Sequence, residues 1–366
     1  MKVKILEKIK FTIRKGAGHA GFVGMAGILL LELAGAPAHG QPQTKPVIQI
    51  VATGGTIANT LDGRIPIQQV IADIRENFPE THEFLDSVKF EVMDLIRVGS
   101  GELTGGNFLE IARTVNRVIQ EPGVKGVIVT QGTTTSEDTA YFLHLLVKSE
   151  KPVVVVNSQR QHGTVSNDGD KNFLDAVSVV LSPQAAGKGA MLVSNQTINS
   201  GREVLKTSVR PDAFVSGEHG FLGVIEQDRV SFYRAPTRRH THRSEFEIDS
   251  ITALPKVEII YTYFDADPAL IQAAMDSGVK GIVLNGFTTG GWPHSSQRPT
   301  LEAFADKGLP IVVTARGGMN NRIPVDPQNK FIEGDNLVAH KARILLQLAL
   351  TKTSDPQEIQ RIFNEY

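Results

Sequence analysis

The 366-residue chain contains no cysteine. That absence excludes disulfides, thiolate metal sites and a cysteine nucleophile together. An excess of charge is missing as well: 38 lysines and arginines stand against 39 aspartates and glutamates, a formal net charge of −1. Such a balance argues against nucleic acid or an anionic membrane as the main partner. The ten histidines include no His-Glu-x-x-His or comparable ligand spacing, so the sequence points to no metal. Two of them, His240 and His242, fall in the basic run Arg-Arg-His-Thr-His-Arg, which reads as a solvated loop. Internal repeats and low-complexity tracts are also lacking. What is present is 41% hydrophobic residues, enough to bury a large core, in a length that suits two domains.

Residues 1–38 read as an export signal. Lys2, Lys4, Lys8, Lys10, Arg14 and Lys15 make a positive start, Gly21 to Leu31 is largely apolar, and Ala36-Pro37-Ala38 fits a small-x-small cleavage site. The mature chain is then expected to begin at His39 or Gly40, in a periplasm or outside the cell. The apolar stretch is too short for a comfortable membrane span. Beyond it, strand-like and helix-like stretches alternate, the pattern of strands joined by crossover helices in an α/β fold. Val124 to Thr130 and Val153 to Asn157 are β-branched runs suited to strands buried on both faces. Phe108, Ile111, Ala112, Val115 and Val118 recur at helical spacing, as do Ala140, Leu143, His144 and Val147. The expected organisation is a first α/β domain over 43–234, a charged linker over 235–256 and a second α/β domain over 257–366. In the last of these, Val257 to Tyr263, Gly281 to Asn285 and Pro310 to Val313 read as strands and Ala339 to Leu350 as a closing helix.

Two turns carry the candidate chemistry. From Val47 an apolar run stops abruptly at Gly54-Gly55 and is followed by Thr56, so a strand delivers a hydroxyl just past its carboxyl end, where open α/β sheets place their ligands. A Gly-Gly turn with a solvated threonine reads the same way. A nucleotide loop fits poorly, because Gly54-Gly55-Thr56-Ile57 has neither Gly-x-Gly-x-x-Gly spacing nor a Gly-Lys-Ser/Thr ending. The second turn follows Val127-Ile128-Val129-Thr130 and runs Gln131-Gly132-Thr133-Thr134-Thr135-Ser136, with Thr135 or Ser136 as candidate helix caps. Capping alone is one account of these hydroxyls and of Thr139. The other brings in Lys206, in Val-Leu-Lys-Thr-Ser, as the base serving a threonine nucleophile. That role needs burial or positive neighbours to lower the ammonium pKa by several units from about 10.4. Taken alone, Lys206 reads as a surface lysine.

Together these segments resemble the bacterial type II L-asparaginases. The resemblance rests on Thr-Gly-Gly-Thr-Ile-Ala at Thr53 to Ala58, on the turn at Gln131 to Thr135 with Glu137-Asp138-Thr139-Ala140-Tyr141-Phe142-Leu143 after it, and on Lys151-Pro152-Val153-Val154. Lys206-Thr207, Pro236 to Thr241 and Lys341 to Leu350 extend it to nearly everything after the leader. It implies a two-domain fold with a larger amino-terminal mixed or parallel sheet flanked by helices and a smaller parallel carboxyl-terminal domain. It also implies a homotetramer of intimate dimers with sites between subunits. The implied reaction is hydrolysis of a small carboxamide to carboxylate and ammonia, without metal or organic cofactor. In it Thr56 takes the place of the first nucleophilic threonine, Thr133 of the second and Lys206 of its paired lysine, while Ser100 matches a substrate-carboxylate-binding serine.

The departures from that family cluster on one task. Where its members read the substrate ammonium, this chain has Gly101 for a glutamine, Thr134 for an aspartate and Thr289 for an asparagine lent by a neighbouring subunit. The lid after the first threonine is shortened to Asn59-Thr60-Leu61-Asp62-Gly63-Arg64 and has no tyrosine. An ammonium left without anionic partners in a dry site is costly. The expected substrate is therefore an amide without a free α-amine, such as a succinamate-like or N-acylated compound. Ordinary L-asparaginase or glutaminase activity, with Arg64, Arg160 or an acid from the 320s replacing lost contacts, is the first alternative. An exported ligand-binding protein that has lost the chemistry is the second. Residues 315–326 depart too far to align, and Arg160 reads as either a pocket residue or a buried structural one.

Overall fold

The computed structural model describes residues 45–318, 323 and 330–366. The expected export signal, the cleavage point at His39 or Gly40 and most of the unaligned 315–326 segment lie outside the described residues.

From Val47 the chain runs through β1 (Val47–Ala52), a 3-10 turn at Thr56–Ala58, and a short hairpin of β2 (Asn59–Thr60) and β3 (Gly63–Arg64). Next come α1 (Ile67–Asn77), α2 (His82–Asp86), β4 (Lys89–Asp94), α3 (Gly105–Ile119), β5 (Val124–Thr130), α4 (Ser136–Leu146), β6 (Val153–Val156) and α5 (Gly169–Leu181). They are followed by β7 (Ala190–Ser194), β8 (Thr197–Ser200), the ribbon strands β9 (Leu205–Lys206) and β10 (Phe214–Val215), β11 (Gly223–Glu226) and β12 (Arg229–Phe232). The last part comprises β13 (Val257–Tyr261), α6 (Ala269–Asp276), β14 (Gly281–Gly286), α7 (Arg298–Ala305), β15 (Ile311–Ala315), β16 (Ile332–Glu333), α8 (Ala339–Ala349) and α9 (Pro356–Glu365).

The larger sheet has the strand order β12-β11-β8-β7-β6-β5-β1-β4. It is parallel from β7 to β4 and antiparallel at the other end. The smaller sheet, β13-β14-β15-β16, is parallel throughout. This is the α/β architecture expected, with a larger mixed sheet and a separate parallel one. The buried parallel strands alternate their side chains between two hydrophobic layers. Val127, Val129, Val153 and Val155 face a core built with α3, α4, α8 and α9, whereas Ile48, Ile50, Ile128 and Val154 face one built with α1 and α5. Val283 and Val312 of the smaller sheet join the first of these cores, and Phe246, Ile248 and Ile251 from the segment 235–256 are buried in it as well. No helix among the described residues is long and apolar enough to cross a membrane.

Three local expectations are corrected. Thr135 occupies the N-cap position of α4, but its hydroxyl donates to the Ser100 carbonyl at 2.9 Å, and the Ser136 hydroxyl donates to the Gly132 carbonyl at 2.8 Å. Neither hydroxyl oxygen accepts an N–H from the first turn of α4, so neither caps the helix; both lace the turn before it. β13 ends at Tyr261, short of Tyr263, and β15 runs on to Ala315. His240 is not solvated: it is 1% exposed, and its ring lies 4.7 Å from that of His144 between centroids.

The stacked histidines couple stability to pH. Burial pushes both imidazoles down to about 3, and His144 adds to the effect at His240. Below about pH 6.5 the unfolded chain takes up protons that the folded one refuses, so stability is lost as pH falls from there toward 3. Asp138, raised to about 7 by burial, works in the opposite direction. In urea unfolding, parent protein should lose more stability than His144→Gln between pH 7 and pH 5, by up to about 1.4 kcal/mol per pH unit. Equal losses in the two proteins would show that the pair does not titrate in this way.

Candidate active site

β4, β1 and β5 are neighbours in the parallel part of the larger sheet, and the loops leaving their carboxyl ends carry Ser100, Thr56 and Thr133 respectively. Loops at the carboxyl ends of adjacent parallel strands meet above the sheet, and here the meeting is tight. Gly54 and Gly55 have φ of +90° and +95°, a region that L side chains rarely adopt. A Cβ on Gly55 would stand 2.2 Å from the backbone nitrogen of Gly132. One on Gly132 would meet the Ser100 hydroxyl at 2.6 Å. The backbones preceding the two threonines are thus pressed together, and the serine closes the third side. The N–H of Thr53 donates to the Thr130 carbonyl at 3.0 Å, and its hydroxyl donates to the same atom at 2.9 Å, which fixes the start of the first turn on the end of β5.

Lys206 reaches this cluster from the ribbon. Its ammonium donates to the Thr133 hydroxyl at 2.7 Å, and its backbone N–H donates to the Glu137 carboxylate at 2.8 Å. Partial burial holds the lysine below its ordinary range, with Glu137 opposing the shift. It is a half-buried, paired lysine and not a surface one. Behind it, the fully buried Lys341 of α8 donates to the carbonyls of Gly201, Arg202 and Val204, at 2.9, 2.9 and 2.5 Å, and so fixes the segment leading into β9.

The other expected residues divide. Ser100 is buried, and its hydroxyl oxygen accepts the Thr134 N–H at 3.1 Å, leaving the hydroxyl proton without an acceptor among the described residues. Gly101 lies beside Thr134, whose methyl would stand 3.7 Å from a Cβ there, and Thr134 itself is exposed and uncharged. The N–H groups of Gly132 and Thr133 also have no acceptor among the described residues. The Thr56 hydroxyl makes no hydrogen bond with them either. Thr289 stands apart, exposed in the turn after β14 of the smaller sheet.

The lid and its surroundings also differ from expectation. Arg160 is not the buried structural residue that one reading expected; it is exposed and donates to the Ser166 carbonyl within its own loop at 2.6 Å. Arg64 donates to Asn59 across the hairpin at 2.9 Å, and its guanidinium lies 3.1 Å from where a Gly54 Cβ would stand. The hairpin is pinned from below by His162, whose backbone N–H donates to the Asn59 carbonyl at 2.8 Å. The His162 ring meets Asp170 at 2.8 Å and Asp73 at 3.0 Å. The residue that sequence reading missed is Glu137. An acid in the first turn of a helix is expected on dipole grounds alone, so nothing marked it as a partner for a lysine 69 positions away. Among the described residues no group of three or more His, Asp or Glu side chains is placed to hold a metal ion.

Comparison with known proteins agrees with this arrangement of sheets and turns. The family model described as "Asparaginase, N-terminal" matches residues 47–238, and "Glutaminase/Asparaginase C-terminal domain" matches 256–363. L-asparaginase 2 of Bacillus subtilis is 38% identical over 330 residues, covering 88% of this chain and 87% of that protein. A glutaminase-asparaginase of Pseudomonas aeruginosa is 36% identical, with 93% and 97% covered. Among solved structures, a probable cytoplasmic L-asparaginase from Campylobacter jejuni superposes with a TM-score of 0.80 at 35% identity, covering 88% of this chain and all of that one.

The contact between the turns makes a direct prediction. Gly55→Ala forces backbone against backbone, so it should destabilise the protein by about 1–3 kcal/mol in urea unfolding. Gly132→Ala, which meets the Ser100 side chain at 2.6 Å and the Gly55 backbone no closer than 3.3 Å, should cost less. A Gly55→Ala protein that unfolds at the parent midpoint would mean the turns are not held in contact.

Proposed function

The chain belongs to the asparaginase and glutaminase family, and from that premise we propose that it is an amidohydrolase that splits a small linear carboxamide into carboxylate and ammonia with a threonine nucleophile. The observation that carries the reading is the 2.7 Å hydrogen bond from Lys206 to Thr133, made by a lysine that burial holds below its usual range, beside a second threonine turn. The Thr56 hydroxyl oxygen attacks the amide carbon, and the hydroxyl proton passes to the amide nitrogen that will leave. The free N–H groups of Gly132 and Thr133 receive the developing oxyanion, a contribution of roughly 3 kcal/mol for each donor. Collapse expels ammonia and leaves an acyl ester on Thr56. Thr133 and Lys206 then direct a water to that ester, releasing the acid and restoring the hydroxyl. The Ser100 hydroxyl, with its proton uncommitted, binds the substrate carboxylate.

Substrate choice follows from charge. No carboxylate stands at Gly101, Thr134 or Thr289, and the Arg64 guanidinium adds a positive charge beside the Gly54 turn. A substrate ammonium would meet no compensating anion at these places, so amides without a free α-amine are favoured over free asparagine and glutamine. Assembly as a homotetramer of intimate dimers is part of the same proposal. It is supported by the exposed Ile259 and Tyr261 on the edge strand β13 and by Tyr263 and Phe264 just after it. Export to the periplasm or beyond rests on the leader-like residues 1–38.

A second reading has its own support, because Lys206 is bonded to Thr133 while the Thr56 hydroxyl has no hydrogen-bond partner among the described residues. In it Thr133 is the nucleophile and Lys206 its base. A single-turnover experiment on Thr133→Val separates the two: about one equivalent of ammonia per site if Thr56 is acylated, none if Thr133 is the attacking group.

Ammonia release should be measured on L-asparagine, L-glutamine, succinamate and N-acetyl-L-asparagine. Succinamate and the acylated amide are expected to be turned over best, and Lys206→Met should lower kcat by roughly 10²–10⁴-fold. Tight and exclusive turnover of L-asparagine would overturn the substrate assignment. Calorimetric binding of small carboxylates without ammonia from any amide would leave a binding protein instead.

A further inference from the structure

We propose that Glu137 is a positioning residue for the Lys206–Thr133 pair, clamping the strand that carries the lysine to the helix that carries the threonine turn. The inference rests on the assignment of that pair to catalysis and extends it to a side chain outside the threonine turns. Thr133 precedes α4 by three residues, and Glu137 lies in the first turn of that helix. Thr133 and Glu137 therefore belong to one short rigid unit. Lys206 belongs to another, the ribbon of β9 and β10. Two bonds join the units, from the lysine backbone to Glu137 at 2.8 Å and from its ammonium to Thr133 at 2.7 Å. With only the second, the long lysine side chain could swing; the first fixes where its backbone begins.

The carboxylate is suited to this work. It is 9% exposed. Burial raises its pKa, while the ammonium of Lys341, the Lys206 N–H and the Lys206 charge draw it back. The groups facing it are Lys206 on β9, His340 and Lys341 on α8, and its neighbour Asp138 on α4. Its other oxygen stands 3.8 Å from the His340 ring. Burial disfavours the charge of the Lys206 ammonium, and the negative charge of Glu137 favours its protonated form. The same carboxylate thus places the lysine and opposes the loss of the proton that burial favours.

Two substitutions separate these effects. Glu137→Gln keeps an oxygen for the Lys206 N–H and removes the charge; Glu137→Ala removes both. With succinamate as substrate, Glu137→Ala should lower kcat by roughly tenfold to a hundredfold with little change in KM, the cost of a misplaced catalytic group. Glu137→Gln should recover most of that loss, and the rising limb of its kcat–pH profile should move to lower pH, because the neutral amine forms more readily once the anion is gone. Lysine titration in 13C-labelled protein, with Lys206→Met to assign the signal, gives a readout independent of turnover. The Lys206 resonance should titrate at lower pH in Glu137→Gln than in the parent. An unmoved lysine titration together with a kcat within about twofold of the parent in Glu137→Ala would overturn the proposal. A parent protein that releases no ammonia from any amide would defeat the catalytic reading alone, and the lysine titration would still decide whether the clamp exists.

Discussion

The structure depends on a backbone contact that only glycine permits. A side chain on Gly55 would collide with the main chain of Gln131 and Gly132, one on Gly132 would collide with the Ser100 side chain, and that contact turns separate strand ends into one site. Parallel strands β1 and β5 supply the alignment, since Ala52 pairs with Thr130 and the next residues are already in the turns. The sheet thus does for the two threonines what no local sequence could do alone. It delivers them to the same place, with Ser100 from the strand on the other side.

Around this contact the charges are arranged economically. Lys206 is half-buried, so its charge is disfavoured, and Glu137 opposes that tendency without cancelling it. Lys341, fully buried against three carbonyls, holds the segment before β9 and leans electrostatically on Glu137. Full exposure would leave Lys206 an ordinary cation, and a closer carboxylate would lock it as one. The turn positions Gly101 and Thr134 beside this cluster carry no charge.

Much of this was legible in the residues. The β-branched runs fixed the parallel strands because they are buried on both faces, and the 3.6-residue spacing fixed α3 and α4. Strand-glycine-hydroxyl sequences put Thr56 and Thr133 in turns at strand ends, although a plain turn with a solvated threonine reads the same way; the sheet is what brings the two turns together. Their partners were harder to see. Glu137 looked like a helix-dipole acid, and His240 looked solvated because arginines surround it in sequence although its own ring turns inward against His144. Thr135 and Ser136 looked like caps, but neither hydroxyl accepts an N–H from the helix end; both donate away from it, to the carbonyls of Ser100 and Gly132. Arg160 could not be placed at all, because loop self-bonding leaves no periodic signal.

The central claim is that a threonine hydroxyl in this cleft becomes covalently bound to the acyl part of an amide. Rapid acid quench during turnover of succinamate, followed by peptide mass mapping, tests it most directly. The account predicts a succinyl adduct confined to the peptide that contains Thr56 or to the one that contains Thr133. Sustained ammonia release with both peptides at their native masses would contradict it.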